Sequence, residues 1–243
     1  MSTRLAAVAP LDDQPPAGPV YRSIIALDLE ESTTRTNPVK GELRRVMYDL
    51  LERSLEAVAV TGDRLEALAD RGDGILMLVR PHDDVPKTVL LGRLIPVFGT
   101  LLTEYNALVA QPALRMRLRV VVHAGEVHID RRGCYGAAID VAIRLLDSPR
   151  VKCALKQAAA PLVLVISEEI HSGIVCQGYV DASAYVPIWA RVGKRRQRGW
   201  LLSPAPVASP VVGRRVRGSR PAEPSRSSAR VIAGEQEVYP AAG

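Results

Sequence analysis

The chain is poor in the features that announce specialised protein classes. Its 243 residues hold three cysteines, Cys134, Cys153 and Cys176, far apart and without Cys-x-x-Cys spacing. That excludes a disulfide framework and a thiolate zinc site, and leaves the thiols reduced. No apolar run approaches the length of a membrane span, and the N-terminus, MSTRLAAVAPLDDQPPAGP, lacks the apolar core of a signal peptide. The expectation is a cytoplasmic protein with no membrane partner. No internal repeat, helix-turn-helix or zinc-finger spacing is visible, so no specific nucleic-acid partner is expected.

What is present is one good-sized apolar domain between polar ends. The net charge is +6, but beyond Ser203 six arginines stand against three glutamates in a stretch rich in Pro, Ser and Ala. About half the excess therefore belongs to a segment without apolar periodicity. The expected organisation is a disordered N-terminal segment over 1–20, one domain over 21–203 and a disordered Pro/Ser/Arg-rich tail over 204–243. DNA binding, if any, would rest on that tail.

Within the domain, YRSIIALDLE reads as a strand running into Asp28. Asn37-Pro38 offers a cap and first turn, after which Leu43, Val46, Met47, Leu50, Leu51 and Leu55 recur at three and four, the pattern of a long amphipathic helix. Asp70-Arg71-Gly72-Asp73-Gly74 before the apolar run Ile75–Val79 predicts a hairpin. A second long helix is expected over Asp84–Gln111, kinked at Pro96. MRLRVVVHAGEVHI reads as strand, glycine turn and strand, and Gly136–Asp147 as a short helix with one apolar stripe that VKCALKQAA continues. PLVLVIS predicts a strand, EEIHSGIV a short helix, and YVPIWARV with RGWLLS a final pair of strands. The order predicts an α+β fold, an antiparallel-rich sheet with helices packed on one side.

Two carboxylates share a setting, Asp28 at a strand end and Asp73 at a strand start. If the two ends align, hard oxygen donors meet at a sheet rim, as a divalent cation needs; solvated loop aspartates are the alternative. Asp140 and Arg144 lie four apart on the polar face of their helix, which suits either an ion pair or an arginine facing phosphate. His123 reads as a packed, hydrogen-bonded core residue, and Trp189 and Trp200 as core or strand-face residues.

In order, ALDLEEST, DRGDGILML, LRVVVHAGEV, YGAAIDVAIRLLD and VLVISEEI resemble the catalytic domain of class III nucleotide cyclases, the adenylyl and guanylyl cyclases, over about Tyr21 to Leu202. The closest likeness is to a divergent actinobacterial-type variant. The resemblance implies a ferredoxin-like, nucleotide-cyclase-like sheet and a homodimer that converts a nucleoside triphosphate to a 3′,5′-cyclic nucleotide and pyrophosphate in intracellular signalling. It implies two Mg²⁺ or Mn²⁺ ions per site on Asp28 and Asp73, Arg144 stabilising the reacting phosphate across the dimer, and Asp140 in the place of the ribose-orienting asparagine. Ser32 and Thr33 fall in the phosphate loop, and Lys194, with Arg195 or Arg198 as alternatives, at the cation that meets the triphosphate.

The chain departs from that pattern at Glu31, where a phosphate-loop glycine is usual, at Asp140, and at Ala69 and Gly133, the two base-reading positions. The departures leave the base unspecified. They also frame a second implication, a degenerate cyclase-homology domain serving as a nucleotide-sensing or dimerisation module. Neither implication explains Asp70 and Arg71.

Overall fold

The computed structural model describes residues 18–202. Residues 1–17 and the segment from 203 onward, where both terminal expectations mainly fall, lie outside the described residues.

The sheet begins with β1 (Val20–Leu29), and the hairpin expected at Arg71–Gly74 joins β2 (Leu65–Asp70) to β3 (Gly74–Val79). β4 (Leu118–Asp130), β5 (Gly133–Tyr135), β6 (Leu162–Ser167), β7 (Tyr185–Val192) and β8 (Arg195–Leu202) complete it. The strand order is β2-β3-β1-β4-β6-β8-β7, with β5 paired to β4 alone. β4 and β6 run parallel and the other pairs antiparallel.

Both faces of the central strands are covered, which is why β1 and β3 read as continuous apolar runs rather than alternating ones. Ile25, Leu27, Ile75 and Met77 enter one core, under α1 (Asn37–Ala57) and α3 (Ile95–Leu108). Ile24, Ala26, Leu76 and Leu78 enter a second, under α4 (Ala137–Leu146) and α5 (Pro149–Gln157). The two long helical stretches cover one face as expected, and the shorter pair adds a layer on the other.

Local details depart from the sequence reading for identifiable reasons. The second long helix is a composite: α2 (Lys87–Val89), a π turn over Leu90–Leu94, then α3. Pro96 brings no N–H, and the Ile95 amide reaches back to the Leu90 carbonyl, so a widened turn lies just before the proline. MRLRVVVHAGEVHI forms no glycine turn; β4 passes straight through Gly125. A Cβ there would come within 2.7 Å of the Ala138 Cβ, so the glycine admits the close approach of α4 instead of reversing the chain. The reversal lies later, where Asp130 Oδ1 accepts from the Arg132 and Gly133 amides between β4 and β5. Nor does α4 continue into VKCALKQAA. Ser148 is extended before Pro149, its hydroxyl accepts from the Val151 amide at 3.3 Å, and α5 starts afresh. EEIHSGIV becomes α6 (Glu168–Ile170) and a second π turn over His171–Val175. The cap position before α1 falls on Thr36 rather than Asn37. Cys134, Cys153 and Cys176 are free.

Candidate functional site

The register puts Asp28 and Asp73 one step apart along the rim. Asp28 is opposite Gly74 on one neighbour and Arg119 on the other. The Leu29 amide donates to the Asp73 carbonyl at 3.0 Å, which holds Asp73 beside the end of β1. Gly74 permits this closeness, because a Cβ there would collide with the Leu27 carbonyl.

The acidic-basic turn now has a construction. Asp70 Oδ1 accepts from the Gly72 amide at 2.7 Å, an Asx turn closed by Gly72 at φ +83°. The Asp70 carboxylate also binds the Arg44 guanidinium of α1. Asp70 therefore shapes the turn and ties it to the helix. Asp73 in turn accepts from the buried Ser32 hydroxyl.

Between turn and helix lies a cavity of about 380 Å³ whose lining includes Ser32, Thr33, Lys40, Arg44, Arg71 and Asp73. Lys40 and Arg44 are one helical turn apart, and Arg71 faces them from the hairpin. Three cations against one lining carboxylate, with two hydroxyls and the first turn of α1 close by, make a pocket suited to a polyanion. Glu31, just outside, is exposed and left-handed at φ 56°, ψ 32°. The backbone keeps the conformation a glycine adopts freely, while the carboxylate stays at the surface.

Asp28 faces away from that cavity lining. It meets the Nη2 of Arg119, whose side chain is only 11% exposed. Burial pushes Arg119 below its ordinary pKa, opposed by the Asp147 carboxylate. Asp28 Oδ2 is buried and accepts no hydrogen bond among the described residues, so charge pairing with Arg119 is its main compensation. Asp28 and Asp73 thus stand one step apart along the rim, Asp73 lining the cavity and Asp28 turned from it, and a divalent cation shared by both would have to displace Arg119 from Asp28. Among the described residues no group of three or more His, Cys, Asp or Glu could hold a metal.

The remaining expected residues are not gathered here. Asp140 and Arg144 are both exposed on α4, and among the described residues no ion pair joins them. Lys194 is exposed in the turn between β7 and β8, beside Gly193 at φ +57°. Following the register, Trp200 is level with Ile166, Val122 and Ile25, so Arg195 is level with Val20. Lys194 therefore stands at the opposite end of the sheet from Asp28. Arg198 is turned to Glu168 at 3.6 Å and stacks over Trp200. Ala69 packs against the second core, and Gly133 sits in the β4–β5 turn at φ +140°.

His123 is buried as expected, but its Nδ1 has no hydrogen-bond partner among the described residues, and burial pulls its pKa down to about 4. His128 stacks on Tyr135 with centroids 5.0 Å apart. No helix among the described residues is long and apolar enough to cross a membrane.

No family model matches the chain, and no curated protein matches its sequence. Its structural neighbours are catalytic domains of adenylyl and guanylyl cyclases. The guanylyl cyclase Cya2 is 16% identical, covers 79% of this chain and 97% of its own, and superposes with a TM-score of 0.56. An adenylate/guanylate cyclase/hydrolase from Silicibacter pomeroyi is 16% identical, with 78% and 99% covered and a TM-score of 0.55. A bacterial light-regulated adenylyl cyclase is 14% identical, with 79% and 54% covered and a TM-score of 0.53. The chain has the fold of these domains.

Three residues at the site were not singled out in the sequence. Lys40 and Arg44 read as the solvated face of α1; their spacing of four, directly after the loop that follows Asp28, was the available signal. Arg119 sits at the head of an apolar run, and only the pairing of β4 with β1 reveals that it faces Asp28.

Proposed function

We propose that the protein is a divergent class III nucleotide cyclase acting as a homodimer in intracellular signalling. The observation that carries this reading is the pocket that sets Lys40, Arg44 and Arg71 beside Asp73 and the Ser32–Thr33 loop, within a cyclase fold. Asp28 and Asp73 would hold Mg²⁺ or Mn²⁺, which supplies Lewis acidity toward the ribose 3′-oxygen and the triphosphate. Ser32, Thr33, Lys40 and Arg71 bind and orient the phosphate chain. The 3′-oxygen forms a bond to the α-phosphorus as the bond to the β-phosphate oxygen breaks. Pyrophosphate leaves, and the hydroxyl proton is released to solvent. Arg144 and Lys194 of a second copy stabilise charge on the reacting phosphate and the departing pyrophosphate. Asp140 meets the ribose, accepting hydrogen bonds but not donating them when ionised.

A second reading, nucleotide binding without turnover, is favoured by the Asp28–Arg119 pair, which ties up the first carboxylate. One experiment separates the two. The four ribonucleoside triphosphates are incubated singly with Mg²⁺ or Mn²⁺, products are resolved by chromatography, and thermal shifts are recorded in parallel. A 3′,5′-cyclic nucleotide is the expected product. A thermal shift without product selects the second reading. Neither product nor shift from folded dimer removes both.

A further inference from the structure

We propose that the β7–β8 hairpin is a docking surface for single-stranded nucleic acid, gripped through phosphates and base stacking without regard to sequence. On one face of the hairpin, arginine and tryptophan alternate across the rungs: Trp189 is opposite Arg198, Arg191 opposite Arg196, and Pro187 opposite Trp200. The intervening Ile188 and Ala190 turn into the second core, which puts the ladder on the opposite face, where Trp200 packs against the first core and Trp189, farther along, is exposed.

The side chains stack in layers. The Arg196 Cζ lies 5.0 Å from the Trp189 ring centre, and the Arg198 Cζ lies 6.0 Å from Trp189 and 4.4 Å from Trp200. Trp200 lies flat on the His171 ring, 3.5 Å between centres and 4° from parallel, and its Nε1 donates to Glu168 at 2.7 Å. The inner end is pinned, while the outer ring, Trp189, is 51% exposed. Held on the Trp189 face, the Arg196 guanidinium keeps its N–H edge for phosphate while Arg198 is committed to Glu168, and same-face groups recur about every 6.6 Å along a strand.

Charge selects the occupant. From Ala182 to Leu202 the chain has no Asp or Glu, and Arg191, Lys194, Arg195 and Arg196 are exposed. Glu168, the carboxylate facing the ladder, is engaged by Trp200 and Arg198. A basic strip around an exposed indole suits a polymer with phosphates and unpaired bases. A peptide strand is disfavoured, since Pro187 removes a donor from edge strand β7. A bilayer is disfavoured because the Gly193–Lys194 tip offers no apolar side chain to sink into lipid.

The test uses the full chain and a fluorescein-labelled oligodeoxythymidylate of about 20 nucleotides, long enough for a site of this type, read by anisotropy across a salt series. Expected results are binding that weakens with salt, weaker binding to a duplex of equal length, and a loss of about tenfold for Trp189→Ala that Trp189→Phe largely restores. Arg196→Gln should flatten the slope of log affinity against log salt by about 0.7. Unchanged thermal midpoints and unchanged nucleoside triphosphate binding confirm that these variants are folded. Absence of binding at low salt overturns the proposal. So does undiminished binding by Trp189→Ala and Arg196→Gln, which would assign the affinity to the arginines beyond Ser203. Tighter, Trp189-dependent association with phosphatidylserine vesicles than with the oligonucleotide overturns it in favour of a membrane surface.

Discussion

At the end of the sheet where β1 meets β3, charged groups are tied to one another within the chain: Asp70 to Arg44, Asp73 to Ser32, Asp28 to Arg119. On α4 and at the β7–β8 turn, Asp140, Arg144 and Lys194 stand exposed, and none of them makes an ion pair among the described residues. The first region meets the entropy of fixing its side chains during folding and presents a formed cavity. The second leaves that cost to assembly, when another surface orders it. Under the proposed function, the contrast is that of a chain carrying both halves of a composite site without bringing them together. The sheet separates Lys194 from Asp28 along its whole length, and a head-to-tail second copy is the simplest way to close the gap.

The strongest way to break this comparison is subunit mixing. Asp73→Ala and Arg144→Ala should each lower cyclic-nucleotide formation by on the order of 10²–10³. Equal mixing of the two, after dissociation and reassociation, should restore about a quarter of wild-type turnover, because half the dimers are mixed and each has one intact site. Mixed dimers that form and remain inactive would place both groups in one subunit's site.

A smaller effect asks whether the two regions unfold as one body. His123 lies in β4, the strand between them, and is neutral in the native state, with a pKa of about 4 against an ordinary 6.5. As pH falls below 6.5 the unfolded chain takes up the proton and the native chain does not. Stability present above 6.5 is therefore lost between 6.5 and about 4, by about 3 kcal/mol at the lower limit. His123→Gln should flatten that window of the stability–pH curve. A single transition, seen alike by tryptophan fluorescence and by loss of nucleotide binding, is expected. Two transitions would divide the regions.

The smallest effect concerns Glu31 at the edge of the formed cavity. Replacing it with glycine removes left-handed strain of about 1 kcal/mol, partly offset by the freer unfolded chain. Nucleotide affinity should rise slightly as a carboxylate leaves the phosphate loop. A fall in both melting temperature and affinity would mean that Glu31 is a working part of the pocket.

Much of the formed region was legible because it is written locally. The spacing of Leu43 through Leu55 specified α1, and Asp-Arg-Gly-Asp-Gly specified the hairpin. What was not legible depends on partners remote in sequence. Gly125 looks the same whether it turns the chain or makes room for Ala138, and only the packing of α4 decides. Arg119 acquires meaning from its rung with Asp28, and Asp70 from an arginine on another element. Lys40 and Arg44 are indistinguishable in sequence from a wetted helix face. In the exposed region Arg144 and Lys194 could be named from the sequence but not placed, since the register that separates Lys194 from Asp28 is a property of the whole sheet.

The seat of α4 has a further consequence. Ala138 rests over Gly125 of β4, and Leu145 presses on Gly199 of β8, where an added Cβ would come within 2.5 Å of the leucine methyl. One helix thus touches down on two bare points in two different strands. A methyl added under one end would tilt the helix like a plank shimmed at one foot, and under both it would lift the helix level. Arg144, close to the Leu145 foot, would swing through different arcs in the two cases. The aim of that side chain can therefore be adjusted from beneath the floor, at positions outside the cavity lining.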